Sequence, residues 1–304
     1  MKHDIPHHFK EKFFNQDVGD FSKYKYLKII HDDHYKTGPG SGDQKFQLAQ
    51  YISLAYVLKL KLELPQRLLP PHHQLIGERK NKWTPLHWPE FINFNKSSIF
   101  EDSLSNFVVE KIPHQENSKI LYVKNLTYPN WQTMSEWVSY ISKLIPVNCE
   151  EKGKGLFWHK SEKILNFKNH LITNYPNDFN AVIHIRRGDK LSPEDTTFKH
   201  IGGPAIYDKL TQPENILLKI KQKQEFNPKE NQPIYVMTDM IEGDPVMGGL
   251  NKSEYNFKYC HNFPELMELK IKNNYLLFEV ELCLRDEADY SIYKNFWVEG
   301  HGIN

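Results

Sequence analysis

Hydrophobic and polar positions along this chain alternate between two periods, two and about 3.6. Tyr24 to Ile30 (YKYLKII) tends toward the period of two and predicts a first strand. From Gln44 to Leu60 the residues Phe46, Leu48, Ala49, Ile52, Leu54, Ala55 and Leu58 recur at helical spacing, with Ser41 or Asp43 as N-cap. Leu60 to Pro65 (LKLELP) alternates again and stops at proline, as a second strand should. Strand, glycine loop, helix and strand together predict a βαβ unit, the signature of a parallel sheet. Residues 66–115, rich in Pro, His, Trp and Asn, show little period and predict an irregular excursion from that sheet. Lys119 to Leu126 then predicts another strand, and Ser135 to Ile145 a helix.

The second half repeats the theme. Glu162 to Thr173 predicts a helix, broken by Asn174-Tyr175-Pro176-Asn177. Asn180 to Ile185 (NAVIHI) predicts a strand buried on both faces. Ile216 to Phe226 predicts a basic amphipathic helix, and Pro233 to Met237 (PIYVM) a strand ending at Thr238-Asp239. Tyr255 to Tyr259 predicts a further strand, Tyr275 to Cys283 the start of a helix, and Ala288 to Tyr293 the last strand. The expected class is α/β, one half spanning 1–160 and another 161–304, with a cleft between them. A length of 304 residues suits two domains of ordinary size.

Composition narrows the function classes. Thirty-nine per cent apolar and 13% aromatic residues exclude a wholly disordered chain. Thirty-nine Lys and Arg against 38 Asp and Glu remove the broad positive field of a nucleic-acid binder, so any phosphate site must be local. Cys149, Cys260 and Cys283 are too few for a disulfide scaffold, and no two have metal-ligand spacing. The chain has no signal-peptide core and no membrane span, and its expected oligomeric state is open. Sequons at Asn95, Asn125 and Asn251 would matter only in a secreted protein.

Ligands of open parallel sheets bind beyond the carboxyl ends of the strands. Three polar clusters are expected there: Gly38 to Gln44, Arg186 to Lys190, and Thr238-Asp239. Gly38-x-Gly40-x-Gly42 before a helix can bring backbone N–H groups to an anion, or can be a plain loop. It is neither the dinucleotide fingerprint nor Walker A. His184-Ile185-Arg186-Arg187-Gly188-Asp189-Lys190 is the sharpest feature. Two guanidiniums and an ammonium at a buried strand's end can clamp a diphosphate, with Asp189 orienting an arginine. The alternative is a salt-bridged strand terminus. His31-Asp32-Asp33-His34 has metal-capable side chains without a supporting partner, and no Asp-x-Asp, Gly-x-Ser-x-Gly or cysteine-nucleophile signature is present.

With these residues in view, the chain resembles the fucosyltransferase superfamily of α1,6-, α1,2- and protein O-fucosyltransferases. The resemblance rests on Gly38 to Gln44 with its helix and strand, on His184 to Lys190, and on Tyr235 to Asp239 with Glu281 to Tyr290. Lys190 and Glu194 keep the spacing of the α1,6 branch, which fits best. The resemblance implies two Rossmann-like halves facing across a cleft, a GT-B-like arrangement with the acceptor on the first half and the donor on the second. It implies an inverting, metal-independent enzyme that moves fucose from GDP-fucose to a glycan or glycoprotein, without a cofactor. Donor binding would fall to His184, Arg186, Arg187, Asp189, Gly40, Gly42, Asp239 and Glu281, and catalysis to Glu194 as base with Arg187 and Lys190. The final stretch, Tyr293 to Gly302, lacks the small hydroxyl residues of the family's last motif. A non-catalytic nucleotide- or sugar-binding relative is the alternative. If eukaryotic, the activity would suit the secretory pathway or Golgi; nothing in the chain directs it there, and a cytoplasmic setting also fits.

Overall fold

Alternation shapes the first strand: in β1 (Tyr26–Ile30) Leu27 and Ile29 are buried while Tyr26, Lys28 and Ile30 keep partial exposure. The computed structural model describes residues 5–14, 20–30, 41–65, 87–124, 131–145, 154–187, 189–191, 202–240, 242–293, 296–297 and 299. It is a mixed α/β protein whose two larger sheets are parallel. The chain separates into two units, Met1–Lys163 and Ile164–Asn304.

In the first unit, helix α1 (His7–Phe13) precedes β1, and α2 (Ser41–Leu58) joins β1 to β2 (Lys61–Glu63), which runs parallel to it. This is the βαβ unit that the periodicity predicts. Helix α2 is buried on nearly every side, including its polar residues Gln47, Gln50 and Ser53. Strands β3 (Ser98–Ile99), β4 (Asp102–Ser103) and β5 (Val108–Val109) follow. Strand β6 (Ile120–Lys124) pairs with β1 along its whole length, and α3 (Trp131–Ile141) leads to β7 (Leu156–Phe157). The main sheet has the order β5-β2-β1-β6, and a small antiparallel sheet has the order β4-β3-β7.

The expectation of an irregular excursion over 66–115 is therefore corrected where the stretch is described. From 87 onward it carries short strands, and β5 is the third parallel strand of the main sheet. Two residues are too short a run to show a period, so pattern reading misses such a strand. Residues 66–86 lie outside the described residues. Phe9 and Phe13 of α1 pack on Trp137 of α3, with ring centroids 5.3 and 4.9 Å apart. At the end of β2 the buried Glu63 accepts the Ile112 N–H at 3.0 Å and pairs with Lys28 at 2.7 Å.

The second unit opens with α4 (Glu162–Asn174), whose first turn contains the division between units. Strand β8 (Ala181–Ile185) is followed by α5 (Pro204–Leu210), α6 (Pro213–Gln222), β9 (Pro233–Thr238), α7 (Pro245–Leu250) and β10 (Asn256–Tyr259). Then come α8 (Pro264–Lys272), α9 (Asn274–Glu287) and β11 (Tyr290–Ile292). Helices α5, α7 and α8 are not expected from periodicity; all three begin with proline at the first helical position, a start signal in its own right. All four strands run parallel in the order β10-β9-β8-β11.

Every residue of β8 is buried, as a strand covered by helices on both faces requires. Ile183, Ile185, Ile234 and Val236 share one face with Ile216 and Ile220 of α6 and with Val246 and Leu250 of α7. Tyr235 points to the other face, against Phe179 and Phe263 at 5.1 and 5.7 Å. Helices α6 and α7 touch at Gly249, where a Cβ would stand 2.4 Å from Pro213 Cγ. No described helix is long and apolar enough to cross a membrane.

Candidate functional site

The order β10-β9-β8-β11 reverses direction at β8. The chain builds outward from β8 through β9 to β10, then returns to place β11 on β8's other side. The connections therefore diverge between β8 and β11, and the carboxyl ends of those two strands are where an open parallel sheet takes its ligand. The first residues to leave β8 at that edge are Arg186 and Arg187.

The peptide joining these arginines is held at both edges. Its carbonyl, from Arg186, accepts the Tyr207 hydroxyl of α5 at 2.5 Å. Its N–H, from Arg187, donates to Asp239 Oδ1 at 2.7 Å, just beyond β9. The structure thus brings Asp239, distant in sequence, to the adjacent Arg186 and Arg187. Arg186 is half-buried, whereas the Arg187 side chain is only 7% exposed. The Arg187 guanidinium grips the carboxyl end of α5. Its Nη1 donates to the carbonyls of Asp208 at 3.3 Å and Thr211 at 3.0 Å and to Thr211 Oγ1 at 2.5 Å. Its Nη2 pairs with Asp208 Oδ1 at 2.5 Å. A cation at the last carbonyls of a helix also meets the negative end of its dipole.

His184 lies within β8, buried, its ring 6.4 Å from that of Phe278 on α9. The His184 carbonyl accepts the indole N–H of Trp297 at 2.7 Å. Trp297, near the end of the chain, is wholly buried. The same stretch is held by Lys219, whose Nζ donates to the carbonyls of Phe296 and Glu299 at 2.9 and 3.1 Å. Burial lowers the Lys219 pKa. Beyond Arg187 a short helical turn covers Asp189–Leu191, with the Leu191 N–H on the Arg187 carbonyl at 3.1 Å. Lys190 in that turn is half-buried.

Glu281 of α9 occupies a separate position, against the middle of β9. It is 5% exposed and accepts the Tyr235 hydroxyl at 2.5 Å. Burial pushes its carboxyl up from 4.5 to about 7, although the Tyr235 bond and Lys270 favour the ionised form. Burial, then the charge of Glu281, also raises the Tyr235 hydroxyl, and the same two causes push the Cys260 thiol up to about 12. Of the remaining expected site residues, Gly42 falls in the first turn of α2, in the first unit. Gly40, Glu194, the side chain of Asp189 and the His31–His34 cluster lie outside the described residues. Sequence reasoning did not single out Tyr207, Asp208 and Thr211. The available signal was Gly202-Gly203-Pro204, two positive-φ glycines and a proline that announce α5.

No family model matches this chain, and no curated protein does. Among solved structures, POFUT1 in complex with GDP is similar at 12% identity and a TM-score of 0.36, the match covering 90% of this chain and 98% of that one. POFUT1 in complex with GDP-fucose matches at 12% identity and a TM-score of 0.40, over 91% of this chain and 99% of that one. Likeness at that level leaves the function to be read from the site itself.

Proposed function

We propose that the protein is an inverting, metal-independent glycosyltransferase that moves fucose from GDP-fucose to a hydroxyl of a glycan or glycoprotein. The observation that carries this reading is the exit of His184-Ile185-Arg186-Arg187 from β8 at the strand-order reversal, where parallel sheets take their ligands. A cationic stretch at that edge suits a diphosphate, since arginine pairs bidentately with phosphate oxygens. In this reading the two units are Rossmann-like halves of a GT-B-like enzyme, the second holding the donor and the first the acceptor. In the second half His184, Asp189 and Asp239 frame the donor, while Glu281 lies buried against the middle of β9.

The reaction is a single displacement. The acceptor oxygen attacks the anomeric carbon, the bond from that carbon to the β-phosphate oxygen breaks, and the carboxylate of Glu194 takes the acceptor's proton. GDP leaves with one more negative charge, which Arg186 and Lys190 offset. A cationic protein edge supplies this without a metal ion.

Calorimetry with GDP and a GDP-release assay from GDP-fucose, with mixed acceptors and EDTA present, test the reading. GDP should bind, and release should require acceptor and persist in EDTA. Glu194→Gln should bind GDP as the unaltered protein does and lose transfer by about 10²–10⁴-fold. Absence of GDP binding refutes the assignment. Binding with no release under a broad acceptor panel favours a non-catalytic nucleotide-binding relative.

A further inference from the structure

We infer that the two adjacent arginines divide their work, and that Arg187 is a positioning residue that aims the end of β8 rather than a ligand-contacting cation. This rests on the donor site proposed above. The Arg187 guanidinium is turned inward and spends its Nη protons on α5: three acceptors surround Nη1, and Asp208 Oδ1 takes Nη2. Its Nε is buried and meets no acceptor among the described residues. A side chain 7% exposed and already paired with a carboxylate would have to break a charged pair to reach a diphosphate.

The clasp acts on the peptide it adjoins. Thr211 Oγ1 also donates to the Tyr207 carbonyl at 2.8 Å, so the Arg187 acceptors belong to the same turn that carries Tyr207. Tyr207 in turn holds the Arg186 carbonyl, while Asp239 holds the Arg187 N–H. One peptide plane is thereby fixed from α5 on one edge and from the end of β9 on the other. A plane held at both edges sets the direction of the Arg186 Cα–Cβ bond on one side and of the 189–191 turn on the other. Without the clasp, the end of α5 and the Tyr207 hydroxyl lose their common anchor.

Asp208→Asn gives the discriminating experiment, because direct contact and positioning predict opposite signs. If Arg187 positions, Asp208→Asn and Arg187→Ala should both weaken GDP binding, by about ten- to a hundredfold for a lost charged hydrogen bond. Tyr207→Phe should weaken GDP binding while leaving the melting temperature near that of the unaltered protein, a pattern that a purely structural role would not give. Arg187→Lys should recover little, since a single ammonium cannot replace the two-nitrogen fork that meets all four acceptors. The inference is overturned if Asp208→Asn binds GDP as well as or better than the unaltered protein while Arg187→Ala abolishes binding.

If the unaltered protein does not bind GDP, the proposed function fails and the clasp is read separately. Arg187→Ala and Asp208→Asn should then be non-additive in thermal melting, with faster amide exchange at Arg187 in both. Additive melting losses, or unchanged exchange at Arg187, overturn the clasp on its own terms.

Discussion

Glu281→Gln should make this protein more stable at neutral pH and leave the gain absent in acid. Glu281 is 5% exposed, and burial sets its carboxyl at about 7 instead of 4.5. A pKa that is higher in the folded chain than in the unfolded one means that the folded chain binds the proton more tightly. Between pH 4.5 and about 7 the unfolded state has ionised this group and the folded state has not. Stability therefore falls as pH rises through that window and levels off above it. At about 1.4 kcal/mol per pH unit, the cost of ionising this buried carboxyl reaches about 3 kcal/mol above pH 7. Glutamine keeps an acceptor for the Tyr235 hydroxyl and carries no charge, so it removes that cost. Urea unfolding of both proteins from about pH 4.5 to about 8 reads the difference directly, since groups common to both cancel. The advantage of the variant should grow with pH toward about 3 kcal/mol. A difference that stays flat, or one that shrinks as pH rises, refutes the reasoning.

Two further outcomes follow from buried polar groups. Lys168 is 7% exposed and pairs with both oxygens of Glu287 at 2.6 and 2.7 Å, so Glu287→Ala should cost about 1–3 kcal/mol by stranding the ammonium, whereas Lys168→Met should cost clearly less in the same melts. Gln50 is wholly buried in α2 and its amide meets no partner among the described residues, so Gln50→Leu should raise the urea midpoint by the equivalent of about 1 kcal/mol; a lower midpoint would show that the amide is serving a bound group.

Periodicity was a good guide wherever an element was long enough to display it. Leu27 and Ile29 in β1, the apolar positions of α2, and the unbroken run of β8 each announced their class before any contact was known. It failed at two-residue strands such as β5 and at α5, α7 and α8, whose start signals are prolines rather than a periodic stripe. At the site, the sequence marked Arg186, Arg187 and Asp239 as chemistry-bearing but could not distinguish the arginines, which are chemically identical. Neighbouring residues leaving a strand project in different directions, and that geometry makes one half-buried and the other a clasp on α5.

The amino-acid order alone determined the alternation of strands and helices, the parallel character of the two larger sheets and the position of a cationic cluster at a strand's end. These are local properties, set by spacing, propensity and charge within a few residues. Only the tertiary structure decided the strand order that puts this cluster at a reversal point, the pairing of Asp239 with the Arg187 N–H, and the burial that lifts Glu281 to about 7. Each depends on segments far apart in sequence meeting in space, and on removal from water, neither of which a local pattern encodes.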